Sequence, residues 1–464
     1  MATTRTNLGI LYASLGENRM ALENYHLALG LLEQQPESRQ KAVILSKLGD
    51  VLIESEGPEA ALEKYQEALA LRRRLQDTRG QAVTLNSMGL AHLEAKRPMR
   101  AFRDFGAAVE ILSAHQEPVD QSMVLSNLAL AYERLDRPER ARELYQQALA
   151  LGAQDRRTSG VALFGLARVA RMERKLDEAE RRVEQSLESV EAIRGQVWRP
   201  DLRSTYHAAQ QEQYAFLIDL LAERHRLEPE RGHAARAFAV AERARARSLL
   251  DLVSAARHRP DPEELRRLDH LSQQINSHHR KWLSASSRGI ANDGVERELT
   301  TLLERWRQEK VAAEGPRRPE NGARPTLSLE QVQARLLDER TLFLEYFLGE
   351  EKSYLWAVTS STVRLVDTLP GRRQIEQAAL QVHERMAVSH QQTDEVAARQ
   401  AAAKLSGMIL GPVADLLHRQ RLVIVAPGLL QTVPFAALPR PDVAQDLPFS
   451  EQRPLIVDHE IVSL

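Results

Sequence analysis

The sequence predicts two architectures in one chain: an α-solenoid of about five helical repeat units over residues 1–195, and an α/β domain over residues 326–464. Three observations carry that prediction. Small, aliphatic and aromatic residues recur every forty residues through the first third of the chain. A proline- and glycine-rich stretch, 314-EGPRRPENGARP-325, ends a long charged helical region. Beyond it the apolar runs become short and rich in β-branched and aromatic residues, the composition that suits a pleated, half-buried strand.

The repeat is read from its register. Leu8, Leu48, Met88 and Leu128 stand forty residues apart, each followed by a small residue, Gly9, Gly49, Gly89 and Ala129. Tyr12, Leu52, His92 and Tyr132 come next. Later in each unit come Ala21, Ala61, Ala101 and Ala141, then Tyr25, Tyr65, Phe105 and Tyr145, then Ala28, Ala68, Ala108 and Ala148. The first group puts one apolar face on a first helix, and its small residue lets a neighbouring helix approach closely. Small, aromatic and small residues at offsets of four and three make one face of a second helix. Asn18, Pro58, Pro98 and Pro138 share one register between the two helices. Proline fits the first turn of a helix, where its missing N–H costs no hydrogen bond. A fifth, weaker unit shows in Leu166, Ala167, Ala179 and Val183.

This pattern resembles the tetratricopeptide repeat, in a long forty-residue form. The resemblance implies that the first helix of each unit lines an inner groove for a protein or peptide partner. The corresponding residues here are Asp50, Ile53, Asn86, Leu90, Ser126 and Leu130. The Lys/Asn constellation with which some members clamp a peptide carboxylate is absent.

Residues 196–313 read as a helical spacer that loses the forty-residue period. Within it, 241-AERARARSLLDLV-253 carries Arg243, Arg245 and Arg247 at alternate positions, which cannot share one helical face; Arg236, Arg243 and Arg247 can. Local Glu–Arg pairs such as Glu242–Arg245 suit a solvated face. LRRLDHLSQQI and ELTTLLERW, divided by 284-SASSRGIANDG-294, predict a helical hairpin over 261–312. His278 and His279 are adjacent, point about 100° apart on a helix and cannot chelate together.

After the linker at 314–325, strands are expected at 341–348, 353–359 and 362–369, the last two joined by Ser360-Ser361 as a hairpin. Helices follow near 372–388 and 394–418, then the strand LVIVA and a last strand in EIVSL. Strands alternating with helices imply a largely parallel sheet. The repeats, the Ala-Arg-Ala-Arg-Ser-Leu-Leu-Asp helix, Leu344-Glu345-Tyr346-Phe347, Ser353-Tyr354-Leu355-Trp356 and the turn bearing Gly428, Leu430, Pro434, Phe435 and Leu438 follow in an order that resembles bacterial tetratricopeptide-repeat proteins with a C-terminal CHAT domain. That domain is a caspase-like, separase-like cysteine peptidase module. Pro427 stands where many members carry Asp. The resemblance implies a His and a Cys on later strands, in His-Gly and Ser-Ala-Cys segments that this sequence lacks. An incomplete caspase-like domain, truncated before its dyad, is therefore the expectation. Residue 2 is expected at the start of a repeat's first helix with no cap before it, and the chain closes on a lone strand; both agree with that expectation.

Composition sets the remaining bounds. Among 464 residues, 63 Lys and Arg against 64 Asp and Glu leave a net charge of -1, so no nucleic-acid partner is expected. No apolar run reaches the roughly 20 residues of a membrane span, and the N-terminus lacks a signal-peptide pattern. The chain is read as soluble and cytoplasmic. With no cysteine, disulfides, thiolate metal sites and a thiol nucleophile are excluded for these residues. No Gly-x-Ser-x-Gly elbow, phosphate-cradling loop or metal-spaced cluster is found, so no catalytic residue and no cofactor is assigned and the chain is expected to be inert. Two readings stay open: the N-terminal part of a repeat-regulated peptidase, or a non-catalytic adaptor whose caspase-like half is vestigial.

Overall fold

A computed structural model describes residues 2–14, 16–33, 37–194, 200–257, isolated helical positions between 267 and 305, and residues 328–388, 392–441 and 454–463. The hairpin expected over 261–312 therefore lies outside the described residues except for those isolated positions, and His278, His279 and the linker at 314–325 lie wholly outside. The chain divides into two compact units, Met1–Gln213 with Leu250–Asn321, and Tyr214–Leu249 with Gly322–Leu464. The second differs from the sequence expectation, because residues 214–249 of the expected spacer pack with the strands.

The first unit begins with five helix pairs: α1 (Ala2–Ser14) and α2 (Asn18–Gly30), α3 (Arg39–Ser55) and α4 (Pro58–Arg74), α5 (Thr78–Glu94) and α6 (Pro98–His115), α7 (Pro118–Arg134) and α8 (Pro138–Leu151), α9 (Arg156–Met172) and α10 (Leu176–Arg194). Pro58, Pro98 and Pro138 occupy the first turns of α4, α6 and α8 as their register predicts. The pairs close on a ring laid against a glycine. A Cβ built on Gly9, Gly49 or Gly89 would stand 2.5, 2.6 or 2.4 Å from the ring of Tyr25, Tyr65 or Phe105. No real Cβ sits that close to carbon, so the approach of the two helices depends on a missing side chain. In the fourth pair Ala129 takes the small position, and Tyr145 packs beside Ala129, Ala141 and Leu166.

In the second unit five strands form one mixed sheet: β1 (Thr341–Phe347), β2 (Lys352–Val358), β3 (Val363–Pro370), β4 (Arg421–Val425) and β5 (Glu460–Ser463), in the order β3-β2-β1-β4-β5. β1 runs antiparallel to β2 and parallel to β4, β2 runs antiparallel to β3, and β4 runs parallel to β5, so the sheet is mixed and not the largely parallel one expected from the alternation of strands and helices. The hairpin turn is held from outside: Gln333, on α13 (Leu329–Leu336), donates to Thr359 O at 2.9 Å and Thr362 O at 3.3 Å. Two helices follow β3, α14 (Arg372–Val388) and α15 (Gln392–Ile409). The single helix expected over 394–418 breaks at Gly411-Pro412, where a short 3-10 stretch (Gly411–Leu416) takes over because Pro412 has no N–H to continue the α pattern.

Alternation along the strands separates two faces. Leu342, Leu344 and Tyr346 of β1, Leu355 and Ala357 of β2, and Leu422 and Ile424 of β4 join Ile375, Ala379, Val382, Leu405 and Ile409 of α14 and α15 in one core. The intervening residues point the other way, to the end of α11 (Pro200–Leu227) and the start of α12 (His233–Arg257). Phe238 meets Phe343 and Trp356 edge-on at 6.3 and 6.2 Å, Trp356 Nε1 donates to Ala234 O at 3.1 Å, and Asp219 accepts from Tyr354 and pairs with Lys352. Both faces of β1 and β2 are thus covered, which explains their unbroken burial.

The arginine-rich helix is corrected by this packing. Arg245 does pair with Glu242, yet its Nη2 also reaches Glu345 Oε1 at 2.7 Å, in the middle of β1. The alternating arginines therefore do not lie on a purely solvated face. Arg243 lies over the ring of Tyr214 at 5.2 Å, and the Arg247 side chain is outside the described residues. Glu345 has 0 % exposure, and its Oε2 finds no hydrogen-bond partner. Burial pushes its carboxyl up to about 8, outweighing the attraction of Arg245.

Two outcomes are expected. Gly89→Val forces the Phe105 ring away and destabilises the solenoid by roughly 1–3 kcal/mol in urea titration, while the same change at Gly106, which has open space, costs much less. For Glu345 the folded pKa lies above the unfolded value near 4.5, so its stabilising effect is complete at low pH and fades as pH rises through about 8. The second unit should melt lower at pH near 9 than near 6, and Glu345→Gln should flatten that difference in a thermal scan.

Candidate functional site

The solenoid brings its first helices side by side: α1 touches α3, α3 touches α5, α5 touches α7 and α7 touches α9. Cross-helix bonds fix their alignment. Gln40 donates to Thr3 Oγ1 at 2.9 Å, Asn127 Nδ2 donates to Asn86 Oδ1 at 2.8 Å, and Arg168 grips Glu133 through Nε at 2.8 Å and Nη2 at 3.0 Å. Arg168 also donates to Tyr145 OH at 3.0 Å and lies 4.8 Å over the ring of Phe164.

The six residues expected to face a partner are brought onto these helices but not all onto the open surface. Leu90 is 39 % exposed, and Leu130, forty residues on, is half-buried. Asp50 shares their register and is exposed, but it accepts from Tyr65 OH at 2.8 Å and pairs with Lys47 at 2.8 Å. Ile53 is half-buried against the solenoid core. Asn86 spends its carbonyl on Asn127. Ser126 is corrected: it is 2 % exposed and donates to Ser122 O at 3.0 Å, so it presents nothing to a partner. Its half-buried neighbour Asn127 is more accessible, because one residue turns the helix by about 100°.

A second row went unread in the sequence. Val43, Val83 and Val161 are 40, 48 and 49 % exposed, with Met123 half-buried between the last two. They lie seven residues before Asp50, Leu90, Leu130 and Arg168, two turns along the same face. Their register was visible; their exposure was not, since an apolar residue on a helix is ordinarily read as core.

One polar pair, buried at His92 and half-buried at Asp104, lies within the third helix pair. His92 and Asp104 approach to 3.6 Å between α5 and α6, too far for a hydrogen bond, and His92 Nδ1 and Asp104 Oδ2 have no hydrogen-bond partner. Burial pushes the Asp104 carboxyl up to about 6, while burial and the charges of Arg100 and Arg97 hold His92 below the usual imidazole range. On the second-helix side, an open cleft of about 420 Å³ is lined by Glu139, Arg142, Glu143, Gln146, Glu173 and Lys175. Its cations are engaged, Arg142 with Glu173 at 2.7 Å and Glu178 at 2.8 Å, and Lys175 with Glu173 at 2.6 Å.

In the second unit the turn after β4 is built for packing. Gly428 has φ 58°, and a Cβ there would lie 2.5 Å from Glu376 Oε1, while Leu430, Phe435 and Leu438 are buried. His459 is buried with its ring nitrogens 2.7 Å from Leu417 O and 2.9 Å from Leu455 O, a brace between loops. Among the described residues no group of three or more His, Asp or Glu could hold a metal ion, and no helix is long and apolar enough to cross a membrane.

A family model for the tetratricopeptide repeat matches residues 1–74, 80–154 and 120–192. The five helix pairs are tetratricopeptide repeats. Solved structures similar to the chain include the apo form of RapI, at 14 % identity and TM-score 0.42, covering 67 % of this chain and 98 % of that one. BtubC from P. vanneervenii is similar at 16 % identity and TM-score 0.38, over 50 % of this chain and 90 % of that one. PilF of Pseudomonas aeruginosa is similar at 21 % identity and TM-score 0.34, over 50 % and 94 %. No curated protein matches this chain.

The half-buried carboxyl of Asp104 on α6 yields a test. Folded Asp104 has its pKa raised above the unfolded value near 3.8, so its ionised form weighs against folding above about pH 6. Asp104→Asn should raise solenoid stability by about 1 kcal/mol near pH 8, and the gain should vanish toward pH 4 in paired urea titrations.

Proposed function

We propose that the solenoid is a docking surface for a protein or peptide partner, and that the second unit is the opening half of a CHAT-type, caspase-like module whose activity that docking regulates. The observation that carries the docking half is the open face of the first helices, where Val43, Val83, Leu90 and Val161 are exposed in register. Solvent-facing apolar side chains scattered singly need no explanation, but a shared register on α3, α5 and α9, with Met123 half-buried on α7, supports an interaction site. Tetratricopeptide repeats commonly serve protein–protein binding and scaffolding, which agrees with this reading.

The module half is supported by the convergence of the quoted motifs. Leu344-Glu345-Tyr346-Phe347, Ser353-Tyr354-Leu355-Trp356 and the Gly428–Leu438 turn occupy β1, β2 and the exit of β4 in one sheet. Arg245 of the arginine-rich helix bonds to Glu345 in the first of them. A caspase-like cleavage needs a thiolate beside an imidazole. With no cysteine in the 464 residues, this chain supplies no such nucleophile, and on this reading the dyad belongs to sequence beyond it. Reading the coding sequence past Leu464 tests that half: a His-Gly strand followed by a Ser-Ala-Cys strand is expected. A stop codon directly after Leu464 would leave the adaptor reading, in which the repeats are the whole function.

For the docking half, a photo-cross-linking residue placed at Leu90 should capture one defined partner in the source cells, and the same residue at Met99, exposed on α6 away from the face, should not. Equal capture at both positions would remove the first-helix face as the docking site.

A further inference from the structure

We propose that the solenoid pairs with a second copy of this chain along the edge formed by the turns inside its helix pairs. The acidic α3–α4 turn of one copy lies against the basic α5–α6 turn of the other. The contact is apart from the open face of the first helices and needs nothing from the docking reading.

The two turns carry opposite charge in one register. Because the first helices lie side by side, the turns at their C-terminal ends share an edge. On the α3–α4 turn stand Glu54, Glu56 and Glu59, with no cation between residues 54 and 60. On the α5–α6 turn, forty residues on, stand Lys96, Arg97 and Arg100 beside Glu94. Glu56 and Lys96 hold equivalent positions in their units, and each is exposed.

Inside one chain these charges are only partly matched. Arg97 pairs with Glu59 at 2.7 Å, and Glu54 accepts from Asn18 Nδ2 at 3.4 Å. Among the described residues no ion pair reaches Glu54, Glu56, Lys96 or Arg100. The opposite edge, where one unit passes to the next, behaves differently. There Arg74 pairs with Glu37 at 2.5 Å and Arg79 with Asp120 at 2.8 Å, so cations are taken up within the chain. The positive charge of the α5–α6 turn is felt nearby: burial, together with Arg100 and Arg97, holds His92 below the usual imidazole range.

Symmetry selects the occupant. A twofold axis between the second and third helix pairs inverts their order in the partner, so each acidic turn meets a basic one and the contact closes as a dimer. An unrelated acidic segment would match the basic turn alone and leave Glu54 and Glu56 facing its negative charge. A second copy matches both turns at once. Met99, 57 % exposed between Lys96 and Arg100, supplies apolar surface that these charges flank.

The test is sedimentation of the full chain. A monomer–dimer equilibrium is expected, weakened at least about tenfold between about 0.05 M and about 0.5 M salt. Lys96→Glu with Arg100→Glu, and separately Glu54→Lys with Glu56→Lys, should each leave a monomer at concentrations where the parent is dimeric. An equimolar mixture of these two variants should restore a dimer holding one chain of each, since one then presents two acidic turns and the other two basic ones. Arg156→Glu with Arg157→Glu, the same change of net charge on the opposite edge, should leave the parent dimer intact. Far-UV circular dichroism checks that every variant keeps its helices. A photo-cross-linking residue at Met99 should join two copies of this chain and not the partner captured at Leu90. A parent that stays monomeric, a dimer indifferent to salt or to either turn variant, a mixture that remains monomeric, or equal dissociation by the opposite-edge variant overturns the inference. Capture at Leu90 is unaffected by any of these results, so the docking reading stands or falls separately.

Discussion

An aromatic ring laid on a glycine is the contact from which the solenoid follows. Tyr25 on Gly9, Tyr65 on Gly49 and Phe105 on Gly89 bring the two helices of a unit closer than any side chain at those positions would allow. Because the same contact recurs at a fixed register, each unit repeats the geometry of the one before it, and the first helices line up as neighbours. The rings do more than fill space. Tyr65 donates its hydroxyl to Asp50 and Tyr145 donates its own to Glu133, so the ring contact also fixes charged groups on the first helices. Packing and surface chemistry are coupled through a single residue in each of these units.

That coupling explains why the face is chemically quiet. Several polar residues on the first helices are held by the second helices or by each other, and Val43, Val83, Leu90 and Val161 stay accessible beside them. In water, removing such apolar side chains from solvent stabilises association in proportion to area and without strong direction. Where those side chains stand is set by the repeat geometry.

The sheet unit obeys a different constraint. With helices on both faces, β1 and β2 have no solvent side, so a charged residue in β1 must find its partner inside. Glu345 finds Arg245 one hundred residues away in sequence, and half of its carboxylate remains without a hydrogen bond. Because burial pushes the Glu345 carboxyl up to about 8, it accepts from Arg245 mainly as a neutral acid near pH 7, and such a contact is better evidence for a specified arrangement than for stability. It places α12 over β1 in one register, alongside the Trp356–Ala234 and Tyr354–Asp219 bonds.

The solenoid, its period, the prolines that open its second helices and the five strands were legible in the sequence, because each is a local periodicity or a backbone rule that needs no knowledge of distant residues. The shared register of Leu90 and Leu130 was legible for the same reason, being one position of a repeat. The burial of Ser126 and the exposure of Val83 were not, since both depend on how far a neighbouring helix covers a given side of its helix. Nor was the division of the spacer between two units. Arg245 reads as a surface arginine until the fold places Glu345 beside it, and nothing in either segment alone states that the other will be there. Periodicity is written in the chain one residue after another; the pairing of charges across one hundred residues is decided only when the sheet and the helix above it close.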